Sequence, residues 1–209
     1  MVRLIIVRHG LSKANKEQRF SGQYDFPLDE IGVQQADAVS KYIYETFKVD
    51  RIYSSDLSRA YNTVKPLAEL LGMEIIKRSD LREINVGVWQ NVLFKEVQEK
   101  YPETFKKYIS NPGVWTFEGG ECYADVQKRA LHALEEIAAE NEGKTVVIGT
   151  HGGLIRALRA AWEGIPLSEF KKVPNISNCS VTVVEYSNGS VKLLSIGNTE
   201  HLTGNNAIV

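Results

Sequence analysis

Two short aliphatic runs constrain this chain more than any other feature: Leu4-Ile5-Ile6-Val7 near its start and Val146-Val147-Ile148 well past its middle. Both are too short for a helix and rich in β-branched residues, so residues 3–7 and 145–150 read as buried strands. Between them the apolar period turns helical. Asp29 suits the N-cap of a helix that places Ile31, Ala36, Val39, Ile43 and Phe47 on one face. Residues 50–54 read as a second strand, and Asp56 suits the cap of a second helix. On that helix Leu57, Ala60, Tyr61, Val64, Leu67, Ala68 and Leu71 keep helical spacing until Gly72 stops it. A third strand is expected over 74–77, one helix over 94–109, a turn at Pro112-Gly113 and a long helix over 123–141. After residue 150 a helix should bury Leu154, Ile155, Leu158 and Ala161. Residues 180–186 and 191–196 read as a hairpin turning at Asn188-Gly189. Strands alternating with helices indicate an α/β fold with a mostly parallel sheet, and the hairpin makes that sheet mixed at one edge. No repeat or linker divides the 209 residues, so 1–209 is expected to be a single domain.

Composition excludes more than it selects. A formal net charge of −1 leaves no electrostatic footprint for nucleic acid and no polybasic tract for a membrane surface. No apolar run approaches the ~20 residues that cross a bilayer, and Met1-Val2-Arg3 does not open a signal peptide. Cys122 and Cys179, far apart and without metal-ligand spacing, fit a reduced, cytoplasmic compartment.

The chemistry gathers at strand ends, where open α/β sheets bind ligands. The first strand delivers Arg8-His9-Gly10. The second delivers Ser54-Ser55-Asp56 and then Arg59, and the strand over 145–150 delivers His151-Gly152-Gly153. If these strands are neighbours, two arginines and two histidines meet in one crevice. Guanidinium forks match phosphate oxygens in pairs and stay charged. Backbone N–H groups at the helix starts after Asp56 and His151 could attract the same anion. Gly10, Gly152 and Gly153 would let backbone approach it. A neutral imidazole can then attack phosphorus and hold the group as a phosphohistidine. Protonating the leaving oxygen needs an acid, and Glu83, just beyond the third strand, is the candidate.

Taken singly, each residue has a plainer reading. His9 could be a hydrogen-bonded structural histidine, Arg59 a solvated helix charge, His151 a turn marker and Glu83 a partner of Arg82. His132 and His201 stand alone and read as structural. A zinc site of His9, His151 and Glu83 is a poor alternative, because the two arginines would repel a cation. Only the combination lifts the functional reading.

Taken in order, these residues resemble the histidine phosphatase superfamily, which includes cofactor-dependent phosphoglycerate mutases and broad-specificity phosphatases. The similarity runs through Leu4-Ile5-Ile6-Val7-Arg8-His9-Gly10, Asn15, Arg19-Phe20-Ser21-Gly22-Gln23-Tyr24-Asp25, Pro27-Leu28 and Gly32. It continues through Ser54-Ser55-Asp56-Leu57-Ser58-Arg59-Ala60, Leu81-Arg82-Glu83-Ile84-Asn85-Val86-Gly87-Val88-Trp89, Gly119-Gly120-Glu121 and His151-Gly152-Gly153. The resemblance implies a three-layer α/β/α sandwich with His9 as the phosphorylated nucleophile. It implies that Arg8, Arg59 and His151 hold the phosphate, that Glu83 donates the proton, and that no metal or other cofactor takes part. It also implies that Asn15, Ser21, Gly22 and Gly152 contact a small phosphorylated metabolite. The chain departs from the pattern at Leu11, Ala14, Gln90-Asn91 and Cys122, positions expected to shape the pocket wall and hence specificity.

Mutases of this family carry a longer, more basic middle segment that grips a second phosphate. Here the interval from Glu83 to Gly119 is short, and Lys95, Lys100, Lys106 and Lys107 read as a solvated helix face. Hydrolysis is therefore expected, although residues 20–25 resemble the mutase version of that loop. A non-catalytic phospholigand receptor is the remaining alternative; it would have no use for His9 and Glu83. Trp89, Tyr108, Trp115 and Phe117 could form an aromatic lid over the leaving group or simply belong to the core. The terminal hairpin could form a homodimer edge or complete the sheet.

Overall fold

The computed structural model describes residues 1–204. In chain order its regular elements are β1 (Val2–Arg8), a one-turn α1 (Lys13–Lys16), α2 (Glu30–Thr46), β2 (Arg51–Ser55), α3 (Ser58–Leu71) and β3 (Ile75–Arg78). There follow α4 (Phe94–Lys100), α5 (Pro102–Ser110), α6 (Tyr123–Glu140), β4 (Thr145–Thr150), α7 (Gly152–Trp162), β5 (Val181–Ser187) and β6 (Ser190–Asn198). One six-stranded sheet has the order β3-β2-β4-β1-β5-β6. The strands β1 to β4 run parallel, and β5 turns antiparallel against β1.

Alternation within β1 divides the core in two. Leu4 and Ile6 face a cluster with Val146, Ile148, Leu134, Ile137, Leu154 and Leu158, which belongs to α6 and α7. Ile5 and Val7 face Val39, Ile43, Val64, Leu67 and Val147, the side covered by α2 and α3. Helices thus cover both faces, giving the α/β/α sandwich. All five aliphatic residues of β1 are at most 1% exposed, so both pleat directions contribute to hydrophobic stabilisation.

Local signals account for most boundaries. Asp29 accepts the Gly32 N–H at 2.8 Å as N-cap of α2. Gly72, at φ +63°, closes α3 in the left-handed conformation. Asn188 and Gly189, both at positive φ, turn the hairpin. Two expectations fail for identifiable reasons. The helix predicted over 94–109 is two helices: Pro102 forces Tyr101 out of helical geometry (φ −133°) and starts α5. Asp56 does not cap α3, because both its oxygens are engaged by Arg82 at 2.7 and 2.5 Å. The first N–H groups of that helix are served instead by Ser55 Oγ (to Leu57, 3.3 Å) and Asp25 (to Ser58, 2.8 Å). On α7 the packing role expected of Ala161 falls to Ala157 and Ala160, while Ala161 is half-buried. Among the described residues no helix is long and apolar enough to cross a membrane.

Candidate active site

Strand order decides the site. Because β4 lies between β1 and β2, their carboxyl ends converge: Arg8 pairs with Thr150, and the His9 N–H continues the ladder to the Thr150 carbonyl at 2.8 Å. The imidazoles of His9 and His151 meet edge to face with centroids 5.2 Å apart. His9 is 3% exposed and His151 fully buried. Burial pushes both imidazoles well below the usual histidine range, and Arg59 and Arg8 push further by charge repulsion. Both rings are therefore neutral at neutral pH.

Hydrogen bonding fixes which nitrogen carries the proton. His9 Nδ1 lies 2.7 Å from the Gly10 carbonyl, which only accepts, so Nδ1 bears the hydrogen and Nε2 keeps its lone pair. His151 Nε2 lies 2.8 Å from Ser55 Oγ, which already accepts the Leu57 N–H. His151 Nδ1 is buried with no partner, and it is a donor in the tautomer whose Nε2 takes the Ser55 hydroxyl proton.

Arg59 is fully buried, pushed down to about 10 by burial and still charged at neutral pH. Its two terminal nitrogens donate to the Gly22 carbonyl (2.7 Å) and the Tyr24 carbonyl (3.0 Å), pinning the 22–24 loop, while its Nε has no partner. Arg8 donates from Nη1 to the Ile176 carbonyl, and its Nε is likewise buried and unpartnered.

A cavity of 650 Å³ opens above this cluster. Arg8, Glu83, Asn15, Ser21, Gly22 and Gly152 all line it, while His9, Arg59 and His151 lie buried beneath that lining. The Glu83 carboxylate is held at the wall by the N–H groups of Gly153 (2.9 Å) and Ile84 (3.0 Å), while Arg82 pairs with Asp56 instead. Arg129 buttresses the same loop, donating to the carbonyls of Arg82 (2.7 Å) and Glu83 (3.0 Å) while paired with Glu121. That accounts for Gly119-Gly120-Glu121: Glu121 also accepts the Asn85 N–H at 2.8 Å, so the motif supports the Glu83 loop from behind.

Gly152 and Gly153 line the cavity and Gly10 does not, while the open side of each also faces a protein group. Gly10 turns its open side to helix α2, where an added Cβ would meet the Gly32 carbonyl oxygen at 2.6 Å. A Cβ on Gly152 would meet Arg8 Nε at 3.0 Å, and one on Gly153 would meet Glu83 Oε1 at 2.4 Å. Two of them make room for the Arg8 and Glu83 side chains, the third for a helix. The helix-start N–H groups of Leu57, Ser58 and Gly153 are likewise spent on protein acceptors.

Of the four aromatic lid candidates, Tyr108 and Phe117 line the cavity. Trp89 and Trp115 stack behind it with centroids 6.1 Å apart, as core. Of the departures, Leu11 lines the cavity and Gln90 accepts the Gln23 N–H at 2.7 Å behind the 21–23 loop. Ala14 is fully buried, Asn91 does not line the cavity and Cys122 caps α6. His132 sits on the surface beside Glu136 at 3.3 Å. His201 stacks on Tyr42 and lies 2.9 Å from the Cys179 carbonyl.

Sequence reasoning missed Asn178. Its Nδ2 donates to the carbonyls of His9 (3.0 Å) and Gly10 (3.2 Å), and the Cys179 N–H adds a second bond to His9 O at 3.1 Å. The backbone that orients the His9 ring is thus clamped from the segment before β5. The only signal was a cluster of Asn and Ser in an irregular stretch, Asn175-Ile176-Ser177-Asn178, which has no period to read.

The model of the histidine phosphatase superfamily (branch 1) matches residues 4–199. Phosphoserine phosphatase 1 of Hydrogenobacter thermophilus is 36% identical over 202 residues, covering 97% of this chain and 95% of the relative. Phosphoglycerate mutase-like protein 4 of Arabidopsis thaliana is 33% identical over 207 residues, covering 95% and 86%. The solved structure of Bacillus stearothermophilus YhfR superposes with a TM-score of 0.91 at 33% identity, covering 96% of this chain and 99% of that one. The chain belongs to branch 1 of the histidine phosphatase superfamily, as a phosphatase.

Proposed function

We propose that the chain, acting as one domain over 1–209, hydrolyses a small phosphomonoester through a phosphohistidine on His9. The observation that carries this reading is the set of unpartnered buried nitrogens: Arg8 Nε, Arg59 Nε and His151 Nδ1, all beside His9. A buried donor without an acceptor costs about 1–3 kcal/mol. Three such donors converging at one place suit an anion rich in acceptors, and a phosphoryl group supplies three oxygens.

With the phosphoryl group seated there, His9 Nε2 attacks phosphorus while Nδ1–H stays on the Gly10 carbonyl. The P–O bond to the leaving group breaks, and that oxygen takes a proton from Glu83. Water then attacks the phosphohistidine, giving its proton to the Glu83 carboxylate as the P–N bond breaks and inorganic phosphate leaves. Arg8, Arg59 and His151 stabilise the charge on the equatorial oxygens in both steps. Asn15, Ser21, Gly22 and Gly152 line the route in. The similarity to a phosphoserine phosphatase supports a small phosphorylated metabolite as substrate. Free thiols at Cys122 and Cys179 fit work in the cytoplasm.

Hydrolysis is favoured over phosphoryl return to a phosphoglycerate. Lys95, Lys100, Lys106 and Lys107 are exposed and none lines the cavity, so the middle segment offers no lysine for a second phosphate. The test is phosphate release from p-nitrophenyl phosphate, present in the wild type and lost in His9→Ala. It is run beside isomerisation of 3-phosphoglycerate primed with a trace of 2,3-bisphosphoglycerate. Isomerisation far faster than phosphate release would make the chain a mutase. Binding without turnover in either protein would make it a receptor.

A further inference from the structure

Beyond the phosphoryl site the cavity wall carries one positive charge that the protein leaves unneutralised. Arg156 lines the cavity from α7 and has no carboxylate partner within ion-pair distance among the described residues. Its Nε and Nη2 are fixed to the carbonyls of Val173 (3.2 and 2.9 Å) and Phe170 (3.3 Å), and its guanidinium lies 4.4 Å from the centre of the Phe170 ring. Nη1 makes no hydrogen bond among the described residues, so an anchored guanidinium presents one free edge. The other outer arginine, Arg19, is already neutralised by Glu17 at 2.5 Å.

Position gives this charge its meaning. Arg156 follows Gly153 by three residues on α7, which puts the two on one helical face about 4.5 Å apart along the axis. The Gly153 N–H holds the carboxylate of Glu83 at 2.9 Å. Tyr123 stands beside the same point, its hydroxyl 3.1 Å from where a Cβ on Gly153 would lie. An ester oxygen within reach of Glu83 therefore has the rest of its leaving group beside Tyr123 and Tyr108, with Arg156 one helical turn away.

We propose, on the reading above, that Arg156 binds a carboxylate carried by the leaving group, so that the preferred substrates are phosphate esters of short hydroxy or amino acids. The single helical turn between Gly153, whose N–H holds Glu83, and Arg156 suits two or three carbons between the ester oxygen and the carboxylate. A second phosphate fits less well: its double charge would meet one guanidinium edge, because Arg8, the cation closest in charge coupling to Arg156, serves the phosphoryl group.

The test compares kcat/KM for O-phosphoserine, its carboxamide and O-phosphoethanolamine in the wild type, Arg156→Gln and Arg156→Lys. One charge-assisted contact to a carboxylate is worth about 10- to 100-fold. The wild type should prefer phosphoserine over both analogues that lack the carboxylate by that factor, mainly through KM. Arg156→Gln should collapse the preference to within about threefold, and Arg156→Lys should keep part of it. If the wild type shows no preference for the carboxylate, or if Arg156→Gln and Arg156→Lys lower all three substrates in proportion, Arg156 has only a structural role. A bisphosphorylated ester favoured over phosphoserine would also overturn the proposal. A wild type inert towards p-nitrophenyl phosphate would instead remove the hydrolytic reading itself.

Discussion

Gly153→Ala separates the acid from the rest of the machinery. An added Cβ would sit 2.4 Å from Glu83 Oε1 and 3.1 Å from the carboxyl carbon, where ordinary contact begins near 3.4 Å. The carboxyl group must retreat by about 1 Å, losing its bond to the Gly153 N–H while the flexible side chain absorbs the shift. Misplacement of a reacting group by about 1 Å costs roughly 100-fold in rate, or about 2.7 kcal/mol of barrier. Stability should not fall with it, because alanine is the better helix former by about 1 kcal/mol and Gly153 lies in α7. The assay is kcat/KM for p-nitrophenyl phosphate and for an alkyl phosphate such as glycerol 3-phosphate, with the thermal midpoint measured in parallel. Esters with poor leaving groups need protonation and should lose about 100-fold. The nitrophenyl ester, whose leaving group departs unprotonated, should lose far less. Equal losses on both esters, or alkyl phosphate turnover within threefold of wild type, would refute the placement of Glu83 as acid.

Arg59→Lys should lower kcat/KM at least 100-fold on every ester, since an ammonium cannot both pin the Gly22 and Tyr24 carbonyls and reach phosphate; activity within tenfold would contradict the grip. Asn178→Asp should turn two donors to the His9 and Gly10 carbonyls into repelling acceptors and place a carboxylate near the imidazole. The expected result is a kcat fall of about tenfold or more, with the acid limb of the kcat/KM profile moved to higher pH; a profile superimposable on wild type would sink the clamp. The depressed His9 and His151 make a stability prediction as well. Both rings stay neutral in the folded state, while unfolded histidine protonates near pH 6.5. Their contribution is thus complete above pH 6.5 and lost as pH falls through the folded values, by up to about 1.4 kcal/mol per pH unit for each ring. Urea titrations at pH 7 and pH 5.5 should show that loss, and identical midpoints would contradict it.

The sheet and most helices were legible because their signals are local or periodic: β-branched runs for β1 and β4, Asp29 and Gly72 for helix ends, Asn188-Gly189 for the hairpin. The convergence of His9, Arg59 and His151 was legible only conditionally, since it depends on β4 lying between β1 and β2, a long-range pairing that no single stretch encodes. Asp56 misled because a cap propensity was outcompeted by a tertiary partner, Arg82, from 26 residues away. Gly10 misled because a glycine reads the same whether its missing Cβ admits a ligand or, as here, a neighbouring helix. Arg156 could have been found from its spacing after Gly152-Gly153 on an amphipathic helix, whereas Asn178 could not, because its role lies in two carbonyls more than 160 residues earlier in the chain.

The measurement that bears most directly on this account is the site of covalent phosphorylation. Enzyme mixed with excess phosphoserine or p-nitrophenyl phosphate should be quenched and digested under alkaline conditions, which preserve phosphorylated imidazole, and the phosphopeptide mapped. Phosphate on Nε2 of His9, absent from His9→Ala and accumulating at a rate compatible with turnover, is the predicted result. Phosphate on His151, or steady turnover with no phosphorylated histidine at any time, would contradict it.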